Sequence, residues 1–138
     1  MTTSNLQPLL FDTDVLIDFL RKKAPAKQFI TDAWASGRAL HYSSITVAEL
    51  YAGIRSGEES AINRLLSTMV SVSLTDSIAQ NAGDYLRQFR GRGITLSIPD
   101  TVIAASAKSV GAELATLNTK HYPMKDIVVI KPYSPPTN

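Results

Sequence analysis

The chain has 138 residues, 44% of them hydrophobic and 19% charged, with a formal net charge of +2 and no cysteine. That size and balance predict a single domain over 1–138, with its core over about 9–130, a short N-terminal lead and a Pro-rich tail. Without cysteine, disulfide frameworks, thiolate metal sites and cysteine nucleophiles are excluded, and so small a net charge permits a nucleic-acid partner without demanding one.

The opening MTTSNLQP has neither the basic start nor the apolar core of an export signal. No apolar run approaches the roughly 18 residues of a membrane span, so a cytoplasmic protein with no membrane partner is expected. Leu9, Leu10 and Phe11 read as a short buried strand, after which Val15, Leu16, Phe19 and Leu20 recur at helical spacing. A second helix is expected from about Pro25 to Ser36, with proline near its start and Gly37 as its stop. Ala39 to Ser43 reads as the next strand. Thr46 then reads as the N-cap of a helix carrying Val47, Leu50, Tyr51 and Ile54, with Glu49 in its first turn and Gly57 at its end.

Farther on, Glu58 to Met69 predicts an amphipathic helix and Val70 to Leu74 a strand. Thr75 or Asp76 caps a helix holding Ile78, Ala82, Tyr85, Leu86 and Phe89, closed by Gly91 and Gly93. Ile94 to Ile98 is an apolar link. Pro99 fits the first turn of an Ala-rich helix that stops near Gly111, which puts Asp100 at a helix start. Ala112 to Leu117 and Ile127 to Ile130 read as the last strands, and Pro132, Pro135 and Pro136 mark the tail. Strands separated by helices predict an α/β fold: a central, mostly parallel sheet of about five strands with helices on both faces.

In such sheets, sites form beyond the carboxyl ends of the strands, where the strand order reverses. Asp12, Glu49 and Asp100 come from distant segments toward that end. Like charges gathered in a dry place are costly unless a cation compensates, and oxygen ligands with only two histidines favour Mg²⁺ or Mn²⁺ over zinc. Taken singly, each acid also reads as a capping or dipole-satisfying charge at a helix start, so the case rests on their joint placement. The stretch FDTDVLID at 11–18 admits two further readings. In a haloacid-dehalogenase-like phosphatase both Asp12 and Asp14 act, whereas in a metal-binding nuclease only Asp12 ligates.

DTDVLID, SSITVAELYAG around Glu49, PDTVIAASA around Asp100 and LATLNTKHY near the end resemble, in order and spacing, the PIN-domain ribonucleases, and among them the VapC-like toxins of bacterial toxin–antitoxin pairs. The resemblance runs from about Leu9 to Val129 and implies a single PIN-like domain with a Mg²⁺-dependent endoribonuclease activity. The family's acids fall on Asp12, Glu49 and Asp100, with Asp12 and Asp100 as direct ligands and Glu49 ligating through water or orienting the attacking water. Where many members carry a fourth acid, this chain has Asn118 and His121, which add no negative charge. Thr13 and Thr116 are expected to position the ligands from behind, and Lys120 to touch RNA. Asp14 and Asp18, at the start of the first helix, are expected to be solvated or dipole-satisfying charges.

Other basic candidates are Arg21, Lys22 and Lys23 and the group Arg87, Arg90 and Arg92, although helix ends explain both clusters equally well. The resemblance also implies a VapB-like antitoxin that covers the acidic groove, and a homodimer. The apolar faces around Leu50, Tyr51, Ile54, Leu65 and Leu66 suit either an interface or the core. Against the phosphatase stand the missing late acidic pair and the lack of room for a cap domain. A receiver-type module would need adjacent acids at one strand end. A catalytically inactive PIN-like binding module remains the nearest alternative.

Overall fold

Leu9–Phe11 form β1, the central strand of a five-stranded parallel sheet ordered Val70–Val72 (β3), Leu40–Ser43 (β2), β1, Glu113–Ala115 (β4) and Val129–Ile130 (β5). In the computed structural model, residues 6–134 are described, so the expected lead over 1–5 and Pro135 and Pro136 of the tail lie outside the described residues. After β1 come α1 (Thr13–Leu20) and α2 (Ala24–Ala35), then β2 (Leu40–Ser43), α3 (Ser44–Ala52), α4 (Glu59–Leu66) and β3 (Val70–Val72). The chain continues through α5 (Asp76–Arg90), α6 (Ile98–Val110), β4 (Glu113–Ala115), a 3-10 turn at Thr119–His121, and β5 (Val129–Ile130).

All three residues of β1 are buried, as a strand covered on both faces requires. Its side chains alternate between two cores. Leu10 packs with Ile78, Tyr85 and Phe89 of α5 and Val102 and Ile103 of α6, while Leu9 and Phe11 pack with Val15, Leu16, Ile30 and Ile62 of α1, α2 and α4. The chain steps from β1 to β2 to β3 with helices on one face, then returns across the sheet through α5 and α6 on the other. That return brings β4 beside β1, with Leu10 opposite Leu114 and Phe11 opposite Ala115. The strand order therefore reverses between β1 and β4, the crevice where open α/β sheets bind ligands.

Both ends of α3 differ from expectation. Ser43, not Thr46, caps α3, its hydroxyl accepting from the Ile45 N–H at 3.3 Å, because β2 runs directly into the helix. Glu49 consequently sits in the second turn of α3 and not in the first. The helix also ends at Ala52, with Gly57 taking φ +84° in the turn before α4. Leu50, Leu65 and Leu66 are buried in the core, which leaves only Tyr51 and part of Ile54 from the expected interface residues on the surface. Among the described residues no helix is long and apolar enough to cross a membrane.

Candidate active site

Asp12 and Thr116 end up side by side because they end the two strands flanking the reversal. The Asp12 N–H donates to the Ala115 carbonyl at 2.8 Å, and the Thr116 N–H donates to Ile130 at 3.0 Å. Asp12 doubles as the N-cap of α1, its Oδ1 accepting from the Thr13 N–H at 2.7 Å, so the positive end of that helix faces the carboxylate. Its Oδ2 accepts from the Thr116 hydroxyl at 2.7 Å and lies 2.9 Å from the Tyr122 hydroxyl. Burial, and secondarily the charge of Asp100, nevertheless raise the Asp12 pKa above the ordinary aspartate value, against these hydrogen bonds.

Asp100 reaches the same point from α6. Ser97 caps that helix by accepting from the Asp100 N–H at 3.2 Å, and Pro99 fits its first turn, so the side chain is set at the helix start as the sequence predicts. Asp100 Oδ1 lies 3.2 Å from the Tyr122 hydroxyl, and its Oδ2 lies 3.3 Å from His121 Nδ1. Glu49 is held a step away: its Oε1 accepts from the Thr13 hydroxyl at 2.6 Å, and that hydroxyl is 2.9 Å from Thr46 Oγ1. Thr13 and Thr116 thus each hydrogen-bond one of the acids.

The tentative fourth position resolves into two different contacts. Asn118 turns its side chain to Asp14, its Nδ2 donating to Asp14 Oδ2 at 2.9 Å. His121 remains exposed and meets Asp100. Lys120 is exposed and forms no ion pair among the described residues. Of the other basic candidates, Arg21 pairs with Glu58 at 2.6 Å, Arg87 pairs with Asp84 at 2.9 Å, and Arg92 lies over the Phe89 ring.

Asp14 overturns its expectation. It is half-buried and reaches across to the segment after β4, where its Oδ2 accepts from the Leu117 N–H at 3.1 Å as well as from Asn118. Its Oδ1 is buried without a hydrogen-bond partner, and burial together with the charge of Asp12 pushes its pKa up to about 7. The cause is geometric: at the second residue of α1 the side chain lies under the β4 loop, which no local pattern reveals. Asp18 is likewise engaged, accepting from the Tyr133 hydroxyl at 3.0 Å. Tyr122 is a further residue of the site that the sequence did not mark. It stands six positions after Thr116, beyond a 3-10 turn, where no periodicity marks it.

These donors suit a hard divalent cation, being carboxylate oxygens with hydroxyls behind them. Among the described residues no Lys or Arg pairs with Asp12 or Asp100, so their mutual repulsion is left for a cation to relieve. As the side chains stand, no three acids or histidines among the described residues close around one point. Asp12 and Asp100 converge, and Glu49 does not join them directly.

The chain has recognisable relatives among known proteins. A family model described as PIN domain matches residues 9–126. Ribonuclease VapC10 of Mycobacterium tuberculosis is 37% identical over 116 residues, covering 84% of this chain and 86% of the relative. Ribonuclease VapC19 of the same organism is 32% identical over 115 residues, covering 83% and 92%. A chain of a toxin–antitoxin complex from Klebsiella pneumoniae has a similar structure, with a TM-score of 0.75 and 30% identity over 91% of this chain and 98% of that one. With its five parallel strands, its acids at the β1/β4 reversal and these relatives, the chain belongs to the PIN-domain family, alongside ribonucleases named VapC.

Proposed function

We propose that this chain is a divalent-metal-dependent endoribonuclease, the toxin of a toxin–antitoxin pair. The convergence of Asp12 and Asp100 on one hydroxyl at the strand-order reversal carries this reading, and the 37% identity to a ribonuclease supports it. Asp12 and Asp100 would hold Mg²⁺ or Mn²⁺, with Glu49 joining through water. A cation bound there would polarise a phosphate oxygen and make water a better nucleophile at neutral pH.

The protein's own groups do the rest. Thr116 and the Thr13 N–H aim Asp12 and offset part of the cost of its burial. Glu49, fixed by Thr13, orients the attacking water and accepts its proton. The new bond forms between the water oxygen and phosphorus as the bond to the leaving ribose oxygen breaks, and that oxygen takes a proton from solvent water while Glu49 later releases its own to solvent. Lys120, exposed within the Thr119–His121 turn, would hold the RNA backbone as a point charge.

A VapB-like antitoxin is the partner this reading supplies. On the α1, α2 and α4 side, Phe19, Leu20, Trp34 and Leu65 floor an open groove rimmed by Lys22, Lys27 and Arg64. An amphipathic acidic segment of the antitoxin suits that chemistry. A homodimer would form through surface residues such as Tyr51 and not through the buried Leu50, Leu65 and Leu66. The test is RNA cleavage by antitoxin-free protein. Cleavage that requires Mg²⁺ or Mn²⁺ and stops with chelator is expected, and a purified, folded protein that leaves RNA intact at all metal concentrations would refute the reading in favour of an inactive binding module.

A further inference from the structure

One hydroxyl stands between the two converging acids. The Tyr122 oxygen is 2.9 Å from Asp12 Oδ2 and 3.2 Å from Asp100 Oδ1, while its ring is 4% exposed and packs among the residues that join Leu10 to Val102. The Tyr122 N–H donates to the Thr119 carbonyl at 3.0 Å, closing the turn that aims the side chain. Ring packing and the backbone turn together aim the hydroxyl at the carboxylates. His121, its neighbour, meets the other oxygen of Asp100, so adjacent residues hold that carboxylate at both oxygens.

Tyr85 shows what a purely structural tyrosine looks like in the same fold. Its hydroxyl donates to Asp126 at 2.8 Å, but Asp126 is exposed and already paired with Lys108 at 2.9 Å. Tyr122 instead serves two acids that have no Lys or Arg partner among the described residues. Its single hydroxyl hydrogen reaches one carboxylate at a time, so it fixes their separation without neutralising either. Residues that hydrogen-bond to ligating carboxylates fix the ligands' orientation and set metal affinity.

We infer that Tyr122 is a positioning residue of the cation site, its hydroxyl setting the spacing and aim of Asp12 and Asp100 so that a divalent cation meets both carboxylates already in place. The inference rests on the metal-dependent reading above. The experiment compares Mn²⁺ binding by titration calorimetry, and RNA cleavage across Mn²⁺ concentration, in the parent protein, Tyr122→Phe and Tyr85→Phe. Tyr122→Phe keeps the buried ring and removes one oxygen.

The Mn²⁺ Kd of Tyr122→Phe is expected to weaken about ten- to hundredfold, with cleavage depressed at limiting Mn²⁺ and recovering to within about threefold of the parent at saturation. Tyr85→Phe is expected to bind Mn²⁺ like the parent. Parent-like Mn²⁺ affinity in Tyr122→Phe, or cleavage that stays depressed at saturating Mn²⁺ with an unchanged Kd, would overturn the inference while leaving the ribonuclease reading standing. A parent protein that neither binds Mn²⁺ nor cuts RNA overturns both.

Discussion

Replacing Asp14 with asparagine removes a charge from the inner edge of the site but keeps an oxygen to accept from Leu117 and Asn118. Burial first, and the charge of Asp12 second, raise the Asp14 carboxyl from 3.8 to about 7. Between those values the folded protein keeps a proton that the unfolded chain has released, so raising the pH favours unfolding. The stabilisation is complete below pH 3.8 and is lost as pH rises through about 7. At about 1.4 kcal/mol per tenfold the full gap corresponds to ~4 kcal/mol. Water screens this half-buried group and reduces the effect to about 1–2 kcal/mol. For a chain of this length that is about 3–8 °C in Tm. Thermal melts of metal-free protein in chelator at pH 4.5 and 7.5 measure it. The parent should lose about 3–8 °C more across that interval than Asp14→Asn, and the variant should melt higher at pH 7.5. Equal losses in the two proteins would refute the reasoning.

Leu10→Ala empties a position that is fully buried in the central strand, and denaturant unfolding should show a loss of about 2–5 kcal/mol. Gly111 ends α6 at φ +65° with open space around it, so Gly111→Ala carries only the conformational cost of the left-handed turn, about 1–2 kcal/mol by the same measurement. Arg38 ties the lead-in of β1 to β4, its Nη2 2.7 Å from Glu113 and its Nε donating to the Gln7 carbonyl at 2.6 Å. Arg38→Ala should cost about 1 kcal/mol, and part of that difference should vanish when the melts are repeated at high salt.

Much of the fold was legible because its signals are local. The run Leu9–Phe11 reads as a buried strand and is one, and Pro99 with Gly111 bracketed α6 to within a residue or two. The placement of Asp12 and Asp100 followed, since a strand end and a helix start fix a side chain without knowledge of its neighbours. What stayed hidden depends on contacts between segments far apart in sequence. Asp14 is separated from Leu117 by 103 positions and Tyr122 from Asp12 by 110, and nothing in either neighbourhood announces the pairing. Glu49 was displaced by a cap: Ser43 and Thr46 are both good N-caps, and only the direct passage of β2 into α3 decides between them.

In the proposed reaction Asp12 and Asp100 act as one metal-holding pair. The direct measurement is the rate of RNA cleavage in Mg²⁺ by Asp12→Asn and Asp100→Asn proteins whose circular dichroism matches the parent. Each should cut at least about a hundredfold more slowly, as expected when a metal ligand loses its charge. Parent-like cleavage by either folded variant would contradict the account.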